Sequence, residues 1–195
     1  MNSHSPFDFA AVPVILRPIL KLIINEPKMS SWYYQWQQTD EQTLEKFLAF
    51  VLKKLKVNVS FINQDNTGAI AQTGPLVIVA NHPLGAVEGL ILSHYLLTFR
   101  PDLKVLTNKL LLCFPEFKEL FIGVDILSKQ RRNKSAVLAM KQHLANKGAL
   151  LIFPAGTVGE YNTKTNQVDD APWQHTAAKL ALRYNAQCLP IYIDG

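Results

Sequence analysis

Apolar and polar positions along the chain alternate between two periods. In "TDEQTLEKFLAFVLKKLK" (39–56), Leu44, Phe47, Leu48, Val51, Leu52 and Leu55 recur at the i, i+3, i+4, i+7 spacing of one helical face. Thr39 and Gln42 form a capping-box pattern, so the helix is expected to run over 39–56. Asp40 and Glu41 open it and Lys53, Lys54 and Lys56 close it, in the sense the helix dipole favours. "VNVSFI" (57–62) alternates and predicts a strand, and a turn-rich loop, "NQDNTGAIAQTG", follows.

The rest of the chain repeats a strand-then-helix order. "PLVIVA" (75–80) reads as a buried strand and "GAVEGLILSHYLLTF" (85–99), apolar nearly all round, as a buried helix. "KVLTN" (104–108) and part of "ELFIGVDIL" (119–127) suit short strands. "NKSAVLAMKQHLANKG" (133–148) predicts a helix with Asn133 at its N-cap and Gly148 as its stop. "ALLIFP" (149–154) is strand-like, "PWQHTAAKLALRYNA" (172–186) helical, and "QCLPIYI" (187–193) strand-like again. Strands alternating with helices predict an α/β fold: a mixed sheet with a parallel portion, flanked by helices.

Composition narrows the class. The 195 residues are 48% hydrophobic and 18% charged, which is globular. Two regions are expected within one compact unit: an N-terminal helical segment over 1–56 and an α/β domain over 57–195. The net charge of +5 suits nucleic acid, an anionic membrane face or a phosphate-bearing substrate without choosing among them. Lys and Arg are dispersed, however, and no nucleic-acid-binding motif occurs, so nucleic acid is set aside. "AVPVILRPILKLII" (11–24) is too short and too charged to cross a bilayer. It fits a membrane interface or a docked terminal segment, and Trp32, Tyr33, Tyr34 and Trp36 close behind it favour the interface. Cys113 and Cys188 lack ligand or disulfide spacing and read as buried, inert thiols. The chain stops directly after "IYIDG", as expected of a shortened form.

The candidate chemistry lies in "VIVANHPLGAVEG" (77–89). A strand ends by presenting Asn81 and His82 beyond its carboxyl end, where α/β sheets gather their catalytic residues. Glu88 falls in the first turn of the next helix, within reach of the imidazole. A carboxylate on one ring nitrogen fixes the tautomer and leaves the other nitrogen free to take a proton from a hydroxyl. The competing reading is a histidine satisfied by a backbone carbonyl. No third ligand is spaced for a metal, and neither a G-x-S-x-G elbow nor a P-loop is present. A second strand ends in "IFPAGT" (152–157), whose turn is suited to hold an anionic or carbonyl group by N–H donation. Asn81 and the amides around Gly156 are the candidate oxyanion donors. His4 falls in the terminal segment, His94 reads as a satisfied core or edge residue, His143 and His175 have no evident partners, and Asp170 and Trp173 read as capping and packing for the last helix rather than as substrate contacts.

NHPLGAVEG, then FPAG, then the Pro-containing strand "LPIYI" resemble the motifs of the glycerolipid acyltransferase family over roughly residues 70–195. The branch most similar is the bacterial one that includes hemolysin-like and ornithine-lipid-forming O-acyltransferases. The resemblance implies transfer of a fatty acyl group from acyl-CoA or acyl carrier protein to a hydroxyl of a lysolipid-type acceptor. It places the protein at the cytoplasmic face of the inner membrane, with no cofactor beyond the acyl donor. It assigns His82 as general base and Glu88 as its acidic partner. Phe153, Pro154, Ala155 and Gly156 fall in the acceptor block; Thr157 is the small hydroxyl residue that the same turn delivers, and Gly85 shapes the turn after the histidine. A basic block in "FIGVDILSKQRRN" (121–133) offers Lys129, Arg131 and Arg132 for an acceptor phosphate, or simply a solvated basic turn. The chain departs from the family where five residues, not four, separate His82 from a Glu that replaces Asp, and where Ala155 replaces a Glu. Those departures raise the alternative of a catalytically weakened module that binds lipid or a partner.

Overall fold

The computed structural model describes residues 25–62, 70–125 and 133–194. The expected interfacial segment at 11–24 and the basic turn carrying Lys129, Arg131 and Arg132 lie outside the described residues.

Five parallel strands form the centre in the order β3-β2-β4-β1-β7: β1 (Leu76–Ala80), β2 (Lys104–Asn108), β3 (Phe121–Val124), β4 (Ala149–Ile152) and β7 (Gln187–Ile191). All residues of β1 and β4 are buried, which is why their sequences are continuous apolar runs. The strand pleat divides those side chains between two cores. Leu76, Ile78, Ala80, Ala149 and Leu151 face one cluster with Trp36, Phe47, Leu48 and Leu96; Val77, Val79, Leu150 and Ile152 face another with Met140, Leu144 and Leu180. Each Leu, Ile or Val so removed from water contributes about 1.5–3 kcal/mol. Helices α1 (Glu26–Gln37), α2 (Leu44–Leu55) and α3 (Ala86–Leu96) therefore cover one face. Helices α4 (Lys134–Ala145) and α5 (Thr176–Tyr184) cover the other. Among the described residues no helix is long and apolar enough to cross a membrane.

Several local expectations need correction. The capping box at Thr39 and Gln42 does not form: Thr39 Oγ1 donates to Trp36 O and closes α1 instead. Helix α2 starts later, with Thr43 at its N-cap accepting from Lys46 N at 3.3 Å. Residues 57–62 pair with no strand; Phe61 stacks on Tyr95 with ring centroids 4.1 Å apart. Trp36 and Tyr33 are core residues rather than an interfacial belt, and Trp36 Nε1 donates to Glu116 at 2.7 Å. Asn133 does hold the N-cap position of α4, but its side chain accepts from Asp125 N at 2.9 Å and makes no cap bond. Helix α4 stops through Lys147, which takes the left-handed conformation at φ 65°. Gly148 is needed for another reason: a Cβ there would lie 2.3 Å from the His143 ring. His143 does have a partner, since its Nε2 lies 2.9 Å from Ala149 O. Cys188 is exposed on β7, not buried.

Arg100 staples the amino-terminal edge of the sheet. It is buried, donates twice to Asp102 at 2.8 Å, and donates to Ala71 O at 2.9 Å and Lys147 O at 3.0 Å. The segments entering β1, β2 and β4 are thus joined at one guanidinium. The opposite, carboxyl edge carries the motifs.

Candidate active site

Strands β1 and β4 are parallel neighbours, so their following loops emerge side by side. That places His82 against Phe153, ring centroids 4.4 Å apart and planes at 23°. Glu88 sits at the third position of α3, and its side chain folds back to the loop before the helix. Its Oε1 lies 2.8 Å from His82 Nδ1 and accepts from Leu84 N at 2.9 Å and Gly85 N at 3.0 Å. Gly85, at φ 86°, supplies the bend that brings both amides round. The carboxylate therefore serves as helix N-terminal ligand and imidazole partner together.

A carboxylate oxygen can only accept, so the contact places the proton on His82 Nδ1 and leaves Nε2 with its lone pair. No described residue bonds Nε2. The imidazole is 19% exposed while the Glu88 side chain is 1% exposed. The ring is thus partly open to solvent while its partner carboxylate is dry. Glu88 Oε2 is buried with no hydrogen-bond partner among the described residues, so all the direct bonding falls on Oε1.

The FPAG turn is closed by its own backbone, Gly156 N donating to Phe153 O at 3.0 Å with Gly156 at φ 72°. That amide is engaged, which removes it from the expected oxyanion donors. Pro154 and Ala155 are buried, while Gly156 and Thr157 are exposed at the rim. Asn81 also has local work: Nδ2 donates to Ile193 O at 2.8 Å and Oδ1 accepts from Ile193 N at 2.7 Å. It fastens the end of β1 to the residues after β7. The structure brings Asn81, His82, Gly85, Glu88 and residues 153–157 to one edge; Arg131 and Arg132 fall outside the described residues.

Three contributors escaped sequence reasoning. A two-stranded antiparallel hairpin, β5 (Glu160–Asn162) and β6 (Gln167–Asp169), follows the FPAG loop. Gly159, before β5, donates its N–H to His82 O at 2.8 Å. Asp170, after β6, accepts the His82 backbone N–H on Oδ1 at 2.9 Å and Trp173 Nε1–H on Oδ2 at 2.8 Å. It does not cap the last helix, whose N-cap is His175. Apolar side chains of the loops that meet there stand in solvent: Leu84 is 43%, Val158 46% and Trp173 47% exposed. Among the described residues no three metal-ligating side chains converge.

The profile of a family described as "Acyltransferase" matches residues 41–195. A "Lyso-glycine lipid O-acyltransferase" of Phocaeicola vulgatus is 20% identical over 185 residues, covering 94% of this chain and 63% of its own length. A protein of the same name from Bacteroides thetaiotaomicron is 19% identical over 196 residues, covering 100% of this chain and 68% of its own length. The chain thus spans roughly two thirds of each relative.

Proposed function

The chain belongs to the acyltransferase family matched over residues 41–195, and on that premise we propose that it moves a fatty acyl group from an acyl thioester to a lysolipid hydroxyl. His82 is the general base. Its Nε2 takes the hydroxyl proton as the oxygen attacks the thioester carbonyl. The tetrahedral intermediate then breaks its C–S bond, the thiolate recovers a proton from the imidazolium, and ester and free thiol depart. Glu88 stabilises the imidazolium that forms in between. The observation that carries this reading is the 2.8 Å contact between His82 Nδ1 and a buried Glu88 on a ring that is itself partly exposed.

The donor is acyl-CoA or acyl carrier protein, and the reaction takes place on the cytoplasmic surface of the inner membrane. Exposed Leu84, Val158 and Trp173 on the loops around His82 give a fatty tail apolar surface to lie on. The acceptor is a lysolipid of the glycine-lipid kind, as the relatives' names suggest. Ala155 supports an acceptor that needs no acidic group at that turn.

Transfer is tested by supplying each donor in turn with a lyso-glycine lipid or lysophosphatidic acid, followed by mass spectrometry of the products. The expected result is an O-acylated glycine lipid that His82→Ala fails to form. Equal product from His82→Ala overturns the base assignment. Lipid binding without turnover for any donor and acceptor replaces the enzyme with a lipid-binding module.

A further inference from the structure

The two ends of the β5–β6 hairpin meet His82 on both of its backbone polar groups. Gly159 enters the hairpin and bonds the carbonyl at 2.8 Å; Asp170 leaves it and bonds the amide at 2.9 Å. The pairing of β1 with its neighbours stops by Ala80, so the ladder has no acceptor to offer the amide of residue 82. Asp170 meets that need with one oxygen, and its other oxygen is held by the Trp173 indole at 2.8 Å. Gln174, next in line, donates its N–H to Pro154 O at 2.9 Å and ties the same segment to the FPAG turn. The carboxylate is thus aimed from two sides, at the one residue whose main-chain position sets where Nε2 points.

We infer that Asp170 is a positioning residue for His82, holding the main chain beneath the imidazole so that Nδ1 meets Glu88 and Nε2 meets the acceptor hydroxyl. The inference rests on the base role proposed above. The side chain touches neither substrate nor the reacting atoms, so its removal should lower kcat and leave KM nearly alone. A displacement of ~1 Å in a catalytic group costs on the order of a hundredfold.

The test compares the full chain with Asp170→Ala, Asp170→Asn, Trp173→Phe and His82→Ala. Steady-state transfer is measured beside proton NMR of the His82 Nδ1–H resonance in histidine-labelled protein. Asp170→Ala is expected to lose kcat by roughly ten- to a hundredfold with KM within about twofold, and to broaden or lose the Nδ1–H signal. Asp170→Asn, whose Oδ1 still accepts the amide, is expected to recover most of both. A kcat within about twofold of wild type, or an unchanged Nδ1–H signal, in Asp170→Ala overturns the inference. If that variant does not fold, Trp173→Phe removes only the donor to Oδ2 and is expected to show a smaller loss of both readouts; no change in either overturns it as well. Full activity in His82→Ala instead sinks the base assignment, and the NMR comparison then decides the positioning of His82 by itself.

Discussion

Replacing Glu88 by Asp shortens the side chain by one methylene and should damage this protein. The substitution withdraws the carboxylate by about one C–C bond, ~1.5 Å. A contact of 2.8 Å to His82 Nδ1, and those of 2.9 Å and 3.0 Å to Leu84 N and Gly85 N, then retreat beyond hydrogen-bond range. The imidazole loses the group that fixes its tautomer, and two loop amides lose their acceptor. Misplacement of that size is worth on the order of a hundredfold in kcat, about 2.7 kcal/mol of barrier. Each amide left unpaired costs about 1–3 kcal/mol of stability, because the loop is partly buried. Single-turnover transfer and thermal unfolding of wild type, Glu88→Asp and Glu88→Gln separate the two losses. Glu88→Gln keeps an acceptor at Oε1 and removes the charge, so it should hold its fold better than Glu88→Asp while losing kcat. An aspartate variant that matches or exceeds the wild-type kcat would refute the reasoning, since the length of the arm would not then matter to the base.

The Arg100–Asp102 pair predicts acid sensitivity. Hydrogen bonding from Arg100 holds the Asp102 carboxyl below its usual range against the opposing effect of burial. The folded state thus binds that proton less readily than the unfolded chain, so the contribution is present above pH ~4 and is lost as pH falls below it. Asp102→Asn should cost about 1 kcal/mol at neutral pH, the carboxyl being half in solvent, and should flatten the fall of the urea-unfolding midpoint below pH ~4; an unchanged slope contradicts the pair's role. Burial holds His143 below the ordinary imidazole range against the pull of Ala149 O. The unfolded chain therefore takes up the proton first, and stability should fall as pH drops below ~6.5, an effect that His143→Gln removes. Gly148→Ala should cost about 1–3 kcal/mol because its methyl meets that ring; a neutral substitution would mean the ring has room to move. Of the two cysteines, burial pushes the Cys113 thiol up to about 12 while Cys188 is exposed. A thiol reagent at pH ~8 should modify Cys188 well before Cys113, and equal rates would contradict the burial.

The parts of the fold that were legible in the sequence are those whose burial is complete. "LVIVA" and "ALLI" are apolar at every position because helices cover both sides of the sheet, and that pattern needs no long-range information. Where two signals compete locally, tertiary packing chooses. Thr39, the expected cap, is engaged on Trp36 O beside a ring anchored in the core on Glu116, and the helix starts from Thr43 instead. The strand pattern of residues 57–62 fails because alternation is only half of a strand; the other half is a neighbouring backbone, and none is offered. The β5–β6 hairpin is polar and exposed, so hydrophobic periodicity could not mark it. Its one local sign is "YNTKTN", a cluster of turn formers with Asn166 at φ 58°. His82 and Glu88 were readable because six residues and one helix start join them. Asp170 was not, because its partner lies 88 positions away and nothing at either end encodes the other.

Phe153 packs against the cluster beneath α1, α2 and α3, and the same ring lies flat on the imidazole of His82. Interior and reaction centre therefore share a wall on that side of the sheet. A substitution that tightens the aromatic cluster around Trp36 and Phe47 shifts the surface on which the base rests, so gains in heat resistance there are coupled to turnover. The cluster under α4 and α5 contains no residue of the site. Efforts to harden the protein without slowing it belong on that second side, around Met140, Leu144 and Leu180.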